Sequence, residues 1–368
     1  MTRRHFIRRL LQSAASASLM GFPGACASRT LANNGYGDGT GLAYRPLNGT
    51  RMRDLAARKL HHRQGEFLNP FSDIPKGGLG RVLKWKWFTK NHFKKYYADE
   101  IPTPVTINRG AILDRTGLSI TLLKHAGILI KDGDAFILID PVFGGLFWFI
   151  EDFSPLAFDA ATLPQPKHVL VTHGHYDHLD TPSLGTWGNG THIICPPGYD
   201  DLFNDLGMTH RTPLDWYEHH YEDGREIIFL PCNHWTMRNP LVGPNTALWG
   251  SYLIRTKSGA CVYISGDTGF FDGFEQIGEE FDIDLAIFNL GAYEPRWFMA
   301  PSHMNPEETV TAFLTLKARH LSIAHWGTFR LGDEPVHLPP MAIRQALRER
   351  HMEDRYLELK HGRTVSYP

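Results

Sequence analysis

Short apolar runs separated by Gly, Pro, Asn and Asp recur along the chain and predict ten strands. They are Ser119–Lys124, Gly127–Lys131, Ala135–Asp140, His168–Thr172, His192–Cys195, Arg225–Leu230, Ala247–Thr256, Cys261–Ser265, Leu285–Asn289 and Leu321–Ala324. Helical periodicity interleaves in the second half, over Tyr199–Leu206, Gly273–Glu280, Pro306–Leu321 and Pro340–His351. The third helix has its start signals in place: Asn305 as N-cap, Pro306 at the first position, and Glu307 and Glu308 in the first turn. Hairpin strands first and strand–helix alternation later predict an α/β domain with two sheets between helices, a four-layer αββα sandwich over 111–368. Residues 28–110 read as an extension packing on that core. The Gly-, Asn- and Arg-rich stretch 30–65 is expected to be irregular.

Composition narrows the class. The chain has 368 residues, 42% hydrophobic and 21% charged, with 38 Lys+Arg against 39 Asp+Glu. This is globular composition, and its near-zero net charge argues against duplex nucleic acid as a partner. The N-terminus carries Arg3-Arg4, an uncharged stretch from Leu10 to Phe22, and then Ala25-Cys26-Ala27. That order is the n-region, h-region and cleavage site of a signal peptide over 1–27, resembling a twin-arginine signal, and it predicts a periplasmic protein. Pro23 precedes the Gly24-Ala25-Cys26 word where an aliphatic residue would favour lipidation of Cys26.

Histidine is over-represented, at 20 residues, while the four cysteines show no C-x-x-C pair. A bound metal would therefore take imidazole and carboxylate ligands. The apolar strand ending at Thr172 runs into His173-Gly174-His175-Tyr176-Asp177-His178, an H-x-H-x-D-H word with four ligand-type side chains. His234, Asp267 and His325 each follow another strand end directly. Alone, a strand-end His is commonly a hydrogen-bonded edge residue, and Asp in Ser265-Gly266-Asp267-Thr268 commonly a turn residue. All of them at strand ends, in one order, argue for a single site.

This order and spacing resembles the metallo-β-lactamase-fold hydrolases. The resemblance implies two zinc ions: His173, His175 and His234 would hold the first, Asp177, His178 and His325 the second, and Asp267 would bridge both. Further words narrow it. Asn245–Tyr252, the run Gly291-Ala292-Tyr293-Glu294-Pro295-Arg296-Trp297-Phe298-Met299, and His303–Glu308 resemble the N-acyl-phosphatidylethanolamine-hydrolysing phospholipase D family and its bacterial relatives. That likeness implies cleavage of the distal phosphodiester to phosphatidate and an N-acylethanolamine, with hydroxide attack on phosphorus. Two departures stand out: the family's G-H-A word is Lys124-His125-Ala126, and Thr236 replaces a common Ser. Asp177 is a candidate for catalysis as well as ligation. His303, at the rim of the site, would contact a substrate phosphate oxygen or protonate the leaving alkoxide, unless it packs and caps the helix start. Asp140, His125 and Asp180 are expected to steady ligand imidazoles from outside. Cys232 reads as buried packing.

Two apolar loops, Phe143–Ile150 and Trp297–Met299, flank these residues, making Trp148, Tyr293, Trp297 and Phe298 candidate substrate contacts. Lys84–Tyr97 interleaves six aromatics with five lysines, and residues 51–100 carry 12 Lys/Arg against 5 Asp/Glu, a local net of +7. That mixture suits an anionic membrane surface or single-stranded nucleic acid, and equally a core-facing aromatic row with solvated lysines. The expected partner is a phospholipid or other hydrophobic phosphodiester, with peripheral membrane contact; a homodimer stays open. So do two other readings of the same ligands: a lactonase or other carboxyl hydrolase, and a non-catalytic envelope protein that holds metal and lipid.

Overall fold

The computed structural model describes residues 44–72 and 79–367, so the signal-peptide segment 1–27 lies outside the described residues. Two sheets are built from β1 (Leu118–Lys124), β2 (Gly127–Asp132), β3 (Ala135–Ile139), β4 (His168–Leu170), β5 (His192–Cys195), β6 (Arg211–Pro213), β7 (His219–Glu222), β8 (Arg225–Leu230), β9 (Ser251–Arg255), β10 (Cys261–Ile264), β11 (Leu285–Asn289), β12 (His320–Ala324) and β13 (Thr364–Ser366). The first sheet runs β13-β1-β2-β3-β4-β5-β6 and the second β12-β11-β10-β9-β8-β7. In both, an antiparallel half gives way to a parallel half, at β3/β4 and at β10/β12 through β11.

Alternation along the strands explains the layering. Ile120, Leu122, Ile128, Ile130, Ile137 and Ile139 of the first sheet join Ile227, Phe229, Ile254 and Ile287 of the second in one core. Leu123, Leu129, Leu138, Val169 and Ile193 point the other way, onto α1 (Thr181–Leu184) and α2 (Asp200–Asp205) through Leu184 and Phe203. The far side of the second sheet is covered by α3 (Gly273–Glu280), α4 (Pro306–Thr315) and α5 (Leu338–Arg348), with Phe274, Ile277, Val310, Phe313, Ile343 and Leu347 in the core. With both faces buried, these strands read as continuous apolar runs, which is why they were visible in the sequence. Tyr252 fastens the sheets: its Oη on β9 donates to Val171 O at 2.9 Å, just past β4.

Several boundaries differ from expectation. The helix from Pro306 stops at Thr315, because Lys317 adopts a left-handed φ of 55° and turns the chain into β12. The strand expected from Ala247 begins at Ser251, since the Leu248 and Gly250 amides bond Pro197 O and Thr172 O instead of a ladder. The stretch 30–65 holds a helix, Met52–Ala57, whose Met52, Leu55 and Ala56 are buried. None of the described helices is long and apolar enough to cross a membrane.

Candidate metal centre

β4 ends at Leu170, and the Thr172 amide goes to Asp140 Oδ1 at 2.8 Å. The chain then turns through the H-x-H-x-D-H word. Gly174 is needed in that turn: a Cβ there would stand 2.6 Å from the Tyr199 hydroxyl. Its amide donates to Thr236 Oγ1 at 3.0 Å, so the Thr-for-Ser departure keeps the acceptor hydroxyl.

His173 Nε2 and His175 Nδ1 lie 2.9 Å apart, and His234 Nε2 is 3.3 Å from His175 Nδ1. In the second group, Asp177 Oδ2 lies 3.3 Å from His325 Nε2 and 3.5 Å from His178 Nε2. Asp267 joins the groups: its Oδ2 is 3.2 Å from His178 Nε2, its Oδ1 3.4 Å from His325 Nε2, and His173 also falls within its cluster. Tetrahedral donors about 2.0–2.1 Å from zinc stand about 3.3 Å from each other. The donors here have that spacing, and His178 Nε2 is buried with no hydrogen-bond partner. The residues present therefore fit two divalent cations.

Other partners fix the rings. Asp140 Oδ2 accepts from His178 Nδ1 at 2.8 Å and from the Thr172 hydroxyl at 2.6 Å. His234 Nδ1 faces Ser302 O at 3.1 Å, and Asn289 Nδ2 donates to Asp267 Oδ1 at 2.9 Å. Gly291, the first residue of the G-A-Y-E-P run, leaves room for His325, because a Cβ there would lie 2.2 Å from His325 O. Burial keeps His175 neutral, at about 4, and lowers His173 and His234 well below the ordinary imidazole value, so their lone pairs are free near neutral pH. Burial opposes ionisation of Asp177 and Asp267, yet the His178 charge holds both well below the usual carboxylate range.

The structure places His125 closer than expected, among the donors themselves. Its Nε2 is 3.1 Å from Asp177 Oδ2 and its ring centroid 4.0 Å from that of His325. Asp180 caps α1, accepting from the Ser183 amide and hydroxyl, a role the sequence reading did not give it. Tyr293 is 4% exposed, packs in the larger hydrophobic cluster and is absent from the residues lining the cleft. Cys232 is buried, as expected, its Sγ against Asp267 O at 3.4 Å.

The donors floor a cleft of ≈ 220 Å³ whose walls include His303, Phe298, Trp235, Met299, Leu331 and Arg81. His303 faces the cleft, with Nδ1 3.9 Å from Asp267 Oδ2, and leaves the capping of α4 to Asn305 and Glu308. Burial lowers its imidazole to about 4. The sequence reading missed Arg81, which lies 5.5 Å over the Phe298 ring; the net +7 of its region was the available signal. Trp297 stays partly exposed under Lys84 Nζ at 5.2 Å. Trp148, 88% exposed, stands at a loop tip beyond the cleft wall.

Residues 136–326 match the β-lactamase superfamily domain model, just over half of the chain. The chain is 32% identical over 244 residues to N-acyl-phosphatidylethanolamine-hydrolysing phospholipase D 1 of Caenorhabditis elegans, covering 61% of this chain and 68% of that one. The chain belongs to the metallo-β-lactamase superfamily and, within it, to the N-acyl-phosphatidylethanolamine-hydrolysing phospholipase D family. A mitochondrial relative of that name in Saccharomyces cerevisiae is 33% identical over 212 residues, 54% of this chain; the chain spans only 45% of that relative's length. Among solved structures, Igni18, a metallo hydrolase from Ignicoccus hospitalis, superposes with a TM-score of 0.53 at 18% identity, covering 68% of this chain and 98% of its own. It shares the fold. Family and donor set together make this protein a metal-dependent hydrolase of the β-lactamase fold.

Proposed function

We propose that the protein is a dizinc phosphodiesterase of the phospholipase D type, cleaving N-acyl-phosphatidylethanolamine to phosphatidate and an N-acylethanolamine. One observation carries the reading: two donor groups meet at Asp267 on the floor of a cleft whose rim is apolar and aromatic. When bound, two such ions supply a water that ionises near neutral pH and positive charge beside the phosphoryl oxygens. The chain's own residues do the rest. His303, neutral at pH 7, offers an N–H to a phosphoryl oxygen and is a poor general acid, which favours the first of its two expected roles. Arg81 adds a cation where the diester's charge would sit. Asp140 holds the His178 ring in one tautomer.

The lipid part of the reading rests on exposed rings on two sides of the cleft. Trp148 and Phe149 are 88% and 65% exposed on a loop whose Phe147 packs against Tyr176, inside the metal-binding word. Trp87 and Phe88, 72% and 82% exposed, end the helical turn Lys84–Phe88, whose Trp85 packs on Phe298. Lys124 braces the first loop from below, donating to Phe143 O at 3.3 Å and Gly144 O at 3.2 Å, so the departure from G-H-A supports this loop. Rings of this kind beside lysines suit insertion into an anionic membrane surface. Twin-arginine export would bring the folded protein to such a surface with its ions in place.

The test is mass-spectrometric product analysis after incubating the zinc-loaded protein with vesicles of N-acyl-phosphatidylethanolamine, with His175→Ala/Asp177→Asn as control. Phosphatidate and N-acylethanolamine, absent from the control, support the proposal. Intact lipid alongside turnover of an acyl-homoserine lactone would replace it with the carboxyl-hydrolase reading.

A further inference from the structure

A second group of imidazoles lies at the opposite end of β4. His168, the first residue of β4, and His192, the first of β5, are direct register partners. His220 and Glu222 lie two apart on β7, so they share one face of the other sheet's edge strand. One donor atom from each of the four lies within 4.8 Å of the others. Glu222 Oε2 is 3.0 Å from His168 Nε2 and 3.5 Å from His220 Nε2.

We propose that His168, His192, His220 and Glu222 form a second metal site, for a divalent transition cation such as zinc, which ties the two sheets together at the end away from the cleft. Three imidazoles and one carboxylate are a complete tetrahedral set for zinc, with no position left open for substrate, as in structural rather than catalytic sites. The polar atoms support it. His220 Nε2 and His168 Nδ1 are buried without a hydrogen-bond partner, a cost that hydrogen-bonded clusters avoid and that a cation would offset at His220. His192 Nε2 holds Thr212 Oγ1 at 2.9 Å, and His210 stacks on the His192 ring at 4.6 Å, so that ring is fixed from outside. Lys167 Nζ pairs with the other oxygen, Glu222 Oε1, at 3.2 Å and with Asp223, which steadies the carboxylate while Oε2 faces the histidines. Two donors come from each sheet, so the ion would add a cross-link between layers otherwise joined mainly by apolar contact.

The experiment is a zinc titration of the metal-stripped full chain by calorimetry, with metal content counted by mass spectrometry after gel filtration, beside His220→Gln and Glu222→Gln. The inference expects each variant to bind one ion fewer per chain than the parent, to lose part of the zinc-induced rise in melting temperature, and to keep the parent's hydrolytic rate. Equal ion counts in parent and variants would overturn it. Should His220→Gln fail to fold, Glu222→Gln, with its side chain 40% exposed, gives the count alone. The same titration on His175→Ala/Asp177→Asn must still show the ion that Glu222→Gln removes; its absence there would assign that ion to the cleft and equally overturn the inference.

Discussion

β4 leads to a histidine cluster at each of its ends, and the two are built differently. At the far end, His168, His192, His220 and Glu222 sit within strands at regular register positions, and none adopts a left-handed backbone. At the cleft end the donors stand on turns, and three residues there hold positive φ: His125 at 54°, Asp140 at 41° and His325 at 68°. Conformations of that kind cost of the order of 1–3 kcal/mol each in non-glycine residues and persist where surrounding contacts over-determine them. Those contacts are present: Thr328 Oγ1 accepts the His125 amide at 2.9 Å, and His125 O accepts the His325 amide at 2.9 Å. A ladder can bring donors together from two sheets without strain. Aiming seven donors from four strand ends at one point, with one side open to substrate, requires it.

The comparison can be broken from either end. The largest effect is expected at the cleft: His175→Ala/Asp177→Asn should lower hydrolysis by more than about 10³-fold, well beyond what loss of an outer contact costs. Rate assays on the purified variant check this, and the variant should keep the far-end ion. Next, Asp140→Asn should cost about 10–100-fold in metal affinity or activity, because it frees the His178 ring without removing a donor. Zinc competition with a chelating dye reads it, and unchanged affinity would show that the ring is held by other contacts.

The third effect is on stability and involves both ends. Unfolded histidines take up protons near 6.5, whereas burial holds His175, His303, His168 and His192 at about 4 and His125 at about 3. Below pH 6.5 the unfolded chain therefore binds more protons, and the metal-stripped protein should lose stability as pH falls from 6.5 towards 4. His178, raised well above the ordinary value by Asp267 and Asp177 against its burial, adds stability that is already present below pH 6.5 and is lost only as pH rises above it, so it leaves this window unchanged. With several groups acting, the slope should exceed the one-proton value of about 1.4 kcal/mol per pH unit. Denaturant melts across that window check it, and a flat profile would contradict the neutral state of these five histidines. The smallest effect is at the rim: Trp148→Ala/Phe149→Ala should lower turnover on vesicles several-fold and leave a soluble diester unaffected. Equal losses on both would remove the membrane role.

Much of the cleft was legible because ligands that must converge are either adjacent in sequence, as in His173–His178, or directly follow apolar strands, as His234, Asp267 and His325 do. His125 also follows a strand, but a single His after Lys124 carried no spacing to distinguish a donor from a neighbour. β6, β7 and β13 were not seen: they are short, partly exposed edge strands whose polar residues, such as His219–Glu222, give no apolar run. The far-end cluster was hidden for the same reason, since its donors are brought together only by the stacking of two sheets.

Hydrolysis of N-acyl-phosphatidylethanolamine vesicles in ¹⁸O-labelled water, with both products weighed by mass spectrometry, tests the central claim most directly. Attack at phosphorus forms a P–O bond to the water oxygen and breaks the bond to the ethanolamine oxygen, so the account predicts the label in phosphatidate and none in the N-acylethanolamine. Label in a released fatty acid, or in the N-acylethanolamine, would contradict it.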